Sequence, residues 1–199
     1  EVLRVCTVLS QRIIHFDIKC ENFLIEPLPG VSPETVMNPP TEAPPFSLCL
    51  ADFGESLLYR TDKEANTTRH RGTESIKPPE MLRIDMNTEM RVNEASDIWA
   101  LGCLFYELIV GKMLFALDDV VQFYFRVLNE PELLTEKDKE NLGNPAFEAF
   151  LTFVLVRDPQ KRPSLTSLIE RFNDVADAVF KENKKDGAKA KKWEKARRA

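Results

Sequence analysis

Glycine is scarce, seven in 199 residues, and none of the seven sits in a glycine-rich loop of the kind whose amides cradle phosphates. Such a loop is excluded from this chain. Histidine is scarcer, with only His15 and His70, and the four cysteines Cys6, Cys20, Cys49 and Cys103 are widely spaced without a C-x-x-C pair. That combination argues against a structural zinc site and for reduced thiols. The longest apolar runs, such as Ile98 to Tyr106, fall well short of a bilayer span, so neither a transmembrane helix nor a membrane partner is expected. No basic-then-apolar segment opens the chain, so a signal peptide is not expected and a cytoplasmic setting is. No internal repeat is visible. What is there is ordinary for a folded domain with a core: 43% hydrophobic and 30% charged residues. The chain opens on Glu1 inside a helical pattern, which reads as a truncated start.

The net charge of −5 is unevenly placed. Residues 181–199 carry +6 and the preceding 180 residues −11. An acidic body argues against nucleic acid as the primary partner. The basic tail, 181–199, reads as a flexible, solvated extension outside the domain at 1–180; a nuclear-localisation or acidic-partner segment is the alternative.

Residues 1–12 set Val2, Val5, Val8 and Leu9 on one face at helical spacing. Phe23 to Ile25 and Ser47 to Ala51 read as two short strands of one hairpin. Between them, residues 27–45 hold seven of the 13 prolines, which predicts an exposed irregular loop. Residues 55–77 are polar and aperiodic and read as loop. A helix is predicted from about Glu94 to Val110, stopped by Gly111. Ile98, Trp99, Leu101, Leu104, Phe105, Leu108 and Ile109 cover most of its circumference, so it should be buried. Further helices are expected near 118–129, 145–156 and 164–180. The fold class is therefore mainly α, a helical core with one small β-hairpin carrying a proline-rich insertion.

The hairpin makes a chemical suggestion. In an antiparallel pair the start of one strand lies beside the end of the other. Asn22 precedes the first strand and Asp52 follows the second, while Asp17 and Lys19 lie just upstream. Two carboxylates, an amide oxygen and a lysine can meet at one hairpin end. Hard oxygen ligands suit Mg²⁺, and lysine suits a phosphate.

These residues carry a resemblance. His15-Phe16-Asp17-Ile18-Lys19-Cys20-Glu21-Asn22 resembles the catalytic loop of the eukaryotic protein kinases, and Asp52-Phe53-Gly54 resembles their magnesium-binding triplet. Gly72-Thr73 with Pro78-Pro79-Glu80 is similar to the end of the activation segment, and Asp97 to Gly102 to the start of the central helix. Asp158 to Pro163 resembles the turn that carries the fold's late arginine. The motifs come in family order over roughly residues 1–180. The resemblance implies the C-terminal lobe of a serine/threonine protein kinase that transfers the γ-phosphoryl of ATP, with Mg²⁺, to a Ser or Thr hydroxyl of a protein substrate. It implies Asp17 as the base, Lys19 on the γ-phosphate, and Asn22 and Asp52 as metal ligands. Gly54 then permits the turn after the metal ligand, and Thr73 ties the activation segment to the catalytic loop. It further implies a Glu80–Arg162 ion pair and Asp97 holding the catalytic-loop backbone. Lys19, two positions after Asp17, and Gly72-Thr73 favour serine/threonine over tyrosine acceptors.

The departures bear on regulation and completeness. Phe16 stands where the family usually has an arginine that pairs with activation-loop phosphate, and Phe cannot bind phosphate. The glycine-rich loop, strand lysine and helix glutamate of the N-terminal lobe are not in this sequence, so the 199 residues alone are expected to be inactive. A C-lobe-only scaffold is the competing reading.

Overall fold

The computed structural model describes residues 1–37, 45–59, 64–83, 89–115 and 118–185. Most of the tail, 186–199, and Pro39, Pro40 and Pro44 of the proline-rich stretch lie outside the described residues.

The chain opens with α1 (Val2–Leu9), then β1 (Ile13–Ile14), a 3₁₀ turn at Cys20–Asn22, and β2 (Phe23–Pro27). A short α2 (Pro33–Met37) precedes β3 (Phe46–Leu50), β4 (Leu57–Leu58) and β5 (Glu64–Thr67). Then follow α3 (Pro79–Leu82), β6 (Met90–Asn93), α4 (Ala95–Val110), α5 (Val120–Leu128), α6 (Glu136–Leu142), α7 (Pro145–Val154) and α8 (Leu165–Lys185). The fold is mainly helical, as the sequence implied.

Helix α4 is the axis of the core. Every residue from Ala95 to Tyr106 is buried except Asp97, which is nearly so, and Gly111 at φ 75° ends the helix in the left-handed region glycine tolerates. One part of the expectation fails: Leu108 is 56% exposed, because the last turn of α4 emerges from the core. Gly102 is tightly met, since a Cβ there would lie 2.7 Å from the Leu155 side chain that follows α7. Phe105 packs edge-on to Phe150 of α7 and stacks on Phe172 of α8.

Three helix starts are set by side-chain caps. Asp119 accepts from the Gln122 amide at 3.0 Å, and Asn144 from the Ala146 amide at 2.8 Å. Thr135 and Asp138 form a reciprocal capping box that starts α6, a helix the sequence reading missed because Glu-Lys-Asp-Lys-Glu-Asn-Leu shows almost no apolar face. Buried Asp138 also accepts from Tyr106 of α4 at 3.0 Å and from Arg126 of α5 at 2.5 Å, so one carboxylate joins three helices.

The strands form three antiparallel pairs rather than one hairpin. β2 and β3 pair with Phe23 opposite Leu50 and Pro27 opposite Phe46. β1 pairs with β4, and β5 with β6, Ala65 facing Val92. Residues 55–77 are therefore not simply loop: buried Ala65 and Thr67 alternate with exposed Asn66 along β5, a period-two pattern too short and too polar to stand out. The reading of α1 also needs correction. The helix stops at Leu9; Val2 and Val5 pack against the core beside buried Cys6, but Val8 is 68% exposed. The proline-rich stretch contains one regular turn, α2, all of it outside the buried core.

Candidate active site

The segment between β1 and β2 is fixed from the core. The Asp97 carboxylate, in the first turn of α4, accepts from the His15 amide at 2.8 Å and the Phe16 amide at 2.7 Å. Both oxygens are committed to consecutive amides of a segment 82 residues away. Burial pushes the Asp97 carboxyl up to about 7, against the two amide donors that favour its ionised form. Phe16 sits at φ 66° and Asp52 at φ 59°, the two non-glycine residues with positive φ among the described residues. Each such conformation costs about 1–3 kcal/mol and persists only where surrounding contacts over-determine it. Both lie in this site.

His15 is buried and links two segments of the site. Its Nδ1 accepts from the Asp17 amide at 3.2 Å, so its Nε2 carries the proton and donates to the Ala51 carbonyl at 3.1 Å. Burial lowers its pKa, which keeps the ring neutral and this tautomer in place. Its ring meets Phe53 edge-on at 4.9 Å. The neutral imidazole thus ties the Asp17 segment to the Asp52-Phe53-Gly54 segment.

Four of the expected residues meet around one carboxylate. The Asn22 side-chain amide donates to the Asp17 carbonyl at 2.8 Å and to Asp17 Oδ2 at 2.9 Å. The Lys19 ammonium lies 3.0 Å from Asp17 Oδ2 and donates to the Thr73 hydroxyl at 2.5 Å. The Thr73 amide donates to Asp17 Oδ1 at 2.8 Å. Burial alone would raise the Asp17 carboxyl; the donors from Thr73, Lys19 and Asn22 outweigh it and hold the pKa below the ordinary carboxylate value.

Gly72 explains how Thr73 comes so close. At φ 78°, a Cβ on Gly72 would stand 2.1 Å from the Phe16 carbonyl oxygen. Only glycine lets the two segments touch.

Asp52 is exposed, and its Oδ1 accepts from the Gly54 amide at 3.2 Å; the left-handed residue of this turn is Asp52 itself rather than Gly54. The Ala51 amide donates to the Asn22 carbonyl at 2.8 Å, so Asp52 follows directly on the residue paired with Asn22. The Asn22 NH₂ group is spent on Asp17, which leaves its Oδ1 as the atom available to a ligand. An amide oxygen and an exposed carboxylate at one hairpin end suit a hard divalent cation that keeps water and phosphate oxygens in its shell. Among the described residues, no group of three or more His, Cys, Asp or Glu side chains could hold a metal alone.

The Glu80–Arg162 pair is bidentate, both contacts at 2.9 Å, with the Arg162 side chain fully shielded from solvent. Arg162 also donates to the carbonyls of Val156, Arg157 and Ala95, and Glu80 accepts from Ser96 at 3.2 Å.

Sequence reasoning missed several side chains that brace the site. Arg71 and Glu55 fasten the activation segment, and Glu74 accepts from Tyr124 at 2.8 Å and from the nearly buried Lys77 at 2.5 Å. Arg71 was findable, since it immediately precedes Gly72-Thr73. The Tyr124 contact spans 50 residues and left no local signal.

A buried core helix pinning a loop, an interlocked Asp-Lys-Asn-Thr group beside a β-hairpin, and a shielded Glu-Arg pair form the arrangement that the resemblance to a protein kinase C-terminal lobe implies. The sequence matches the protein kinase domain family over residues 2–172, and the chain belongs to that family. It is 44% identical over 185 residues to a probable serine/threonine-protein kinase of Dictyostelium discoideum, covering 86% of this chain and 8% of that protein. It is 27% identical over 160 residues to serine/threonine-protein kinase 36 of Pongo abelii, 80% of this chain and 10% of that protein. It is 26% identical over 161 residues to the calcium/calmodulin-dependent protein kinase kinase cmkC of Emericella nidulans, 81% and 26% respectively. The chain thus spans a minor part of the length of these relatives. No helix of the described residues is long and apolar enough to cross a membrane.

Proposed function

We propose that this chain supplies the phosphoryl-acceptor half of an ATP- and Mg²⁺-dependent serine/threonine protein kinase. The observation that carries this reading is the Asp17 carboxylate, held ionised and aimed by Thr73, Lys19 and Asn22 at once. A carboxylate so held orients a Ser or Thr hydroxyl and takes its proton as the hydroxyl oxygen bonds to the γ-phosphorus and ADP departs. Lys19 places its positive charge beside that carboxylate, where the transferring phosphoryl group gathers negative charge. Thr73 ties the segment that follows Gly72 to the same point. Asn22 and Asp52 would hold Mg²⁺, which would supply positive charge to neutralise the ATP phosphates. The acceptor class follows from Lys19 and Gly72-Thr73, and from relatives named as serine/threonine-protein kinases.

The test is Asp17→Asn in the full-length protein, assayed by radiolabelled phosphate transfer. Loss of a positioned base lowers turnover by about 10²–10⁴-fold. A folded variant that keeps more than half of the parent turnover refutes the assignment.

A further inference from the structure

Arg71 fastens the activation segment, and its contacts reach three places at once: the Glu55 backbone, the end of β5 and the Phe16 ring. Its Nη1 donates to the Glu55 carbonyl at 2.8 Å, one residue past the Asp52-Phe53-Gly54 turn. Its Nε donates to the hydroxyl of buried Thr67, the last residue of β5, at 3.2 Å. Its guanidinium carbon lies 5.9 Å from the centroid of the Phe16 ring. The side chain is 12% exposed. Phe16 is itself immobilised by Asp97.

The position of Arg71 in the chain gives these contacts their meaning. The next residue, Gly72, presses on the Phe16 carbonyl, and the one after, Thr73, donates to Asp17. Gly72 has no side chain, and the Thr73 hydroxyl accepts from Lys19 within the site. Arg71 is therefore the last fixed point before the two residues that reach the reaction centre. Among the described residues its hydrogen-bond acceptors are neutral oxygens, the Glu55 carbonyl and the Thr67 hydroxyl, and it forms a long ion pair with Glu55 Oε2 at 3.8 Å. That carboxylate oxygen is shielded from water and makes no hydrogen bond, and it is shared at 3.7 Å with Arg69. The contacts that fasten the segment need no added phosphate.

We propose that Arg71 is a positioning residue for phosphoryl transfer: a brace between Glu55, Thr67 and Phe16 that seats Gly72-Thr73 against Asp17 without a phosphorylated residue. The proposal rests on the catalytic reading of Asp17 given above. A guanidinium is required because one planar group must reach a carbonyl and a hydroxyl in different directions while lying near a ring. A lysine can take one of these oxygens and not both, so Arg71→Lys should restore only part of what Arg71→Met loses.

The experiment compares the parent, Arg71→Met, Arg71→Lys, Arg69→Ala and Asp17→Asn in the full-length protein, prepared without phosphate on residues 64–73. Methionine keeps an apolar stem beside Phe16 and removes the hydrogen bonds, which guards against simple unfolding. Displacing reacting groups by about an ångström costs on the order of 10²-fold, so Arg71→Met should lower kcat by roughly that factor with KM for ATP within about twofold of parent. Arg71→Lys should recover part of the loss. Arg69→Ala, which removes the same charge from an exposed side chain, should keep near-parental kcat. Amide exchange should rise over 64–73 in Arg71→Met and stay unchanged over 95–106. Unchanged exchange in 64–73, or kcat within about threefold of parent, overturns the proposal. An equal kcat loss in Arg69→Ala also overturns it, because charge rather than bracing would then be the cause. If Asp17→Asn stays active while Arg71→Met loosens 64–73, the brace stands and the catalytic assignment of Asp17 falls.

Discussion

Removing Arg162 should be the most damaging single change outside the apolar core. Arg162→Ala strands the Glu80 carboxylate, whose side chain is only 12% exposed and which would retain just the Ser96 hydroxyl at 3.2 Å. It also frees the carbonyls of Ala95, Val156 and Arg157, which lose their guanidinium donor together. Breaking a buried pair from one side costs about 3–5 kcal/mol, most of it the uncompensated charge. The carbonyls add to this only in part, since water can enter the space the side chain leaves. For a domain of this size each kcal/mol moves the melting point by about 2–4 °C, so a drop of roughly 10–15 °C is expected. The assay is thermal unfolding of the 199-residue chain followed by circular dichroism. A double variant, Glu80→Gln with Arg162→Met, separates charge from packing: it should recover a substantial part of the loss, because no buried charge remains unpaired. An Arg162→Ala midpoint within two degrees of parent, or a double variant no better than the single one, would show that the pair does not carry the stability assigned to it.

Gly72→Ala should cut phosphate transfer by about 10²-fold or more, because its methyl must displace the Phe16 carbonyl at 2.1 Å and accept φ 78°; steady-state kinetics on the full-length protein would show it, and near-parental turnover would refute the close approach. Replacing residues 29–44 with a short Gly-Ser linker, keeping the Leu28 amide on the Pro45 carbonyl at 3.0 Å, should change stability by less than about 1 kcal/mol, since closure entropy varies slowly with loop length; a collapsed urea midpoint would make the stretch structural. Asp97 gives a pH signature. Its pKa is raised from 3.8 to about 7 by burial, so between those values the folded state holds a proton that the unfolded state releases. Its contribution to stability is thus present below the lower value and lost as the pH rises towards about 7. Asp97→Asn should flatten that part of the stability curve, measured by urea unfolding from pH 4 to pH 8, and an unchanged slope would mean Asp97 does not titrate there.

Much of the site could be read from the sequence because its chemistry sits in short runs. Asp17, Lys19 and Asn22 lie within six residues, and Asp52 and Gly54 within three, so residue type and order carried the pattern. Asp97 and the Glu80–Arg162 pair are linked across 82 residues each, and only the family resemblance joined them. The fold's helices were legible where an apolar face was broad, as in α4 and α7. They were not where stability comes from caps and one buried carboxylate, as in α6. The β5–β6 pair was missed because Glu-Ala-Asn-Thr buries only an alanine and a threonine, residues that carry little hydrophobic signal. On α1 the face was right for Val2 and Val5, which pack on the core beside Cys6, and wrong for Val8, which points outward.

The grip of Asp97 on two consecutive amides has a consequence for how this molecule fails when heated. Loops that bear chemistry often melt ahead of the body that carries them, which blurs inactivation over a wide range. Here the backbone just before Asp17 hangs from the first turn of the most buried helix, with both oxygens of Asp97 committed to it. The loop's opening free energy is thereby raised towards that of the core itself. On heating, loss of the Asp17 alignment should therefore follow closely on loss of α4, and activity and helix content should fall over the same range.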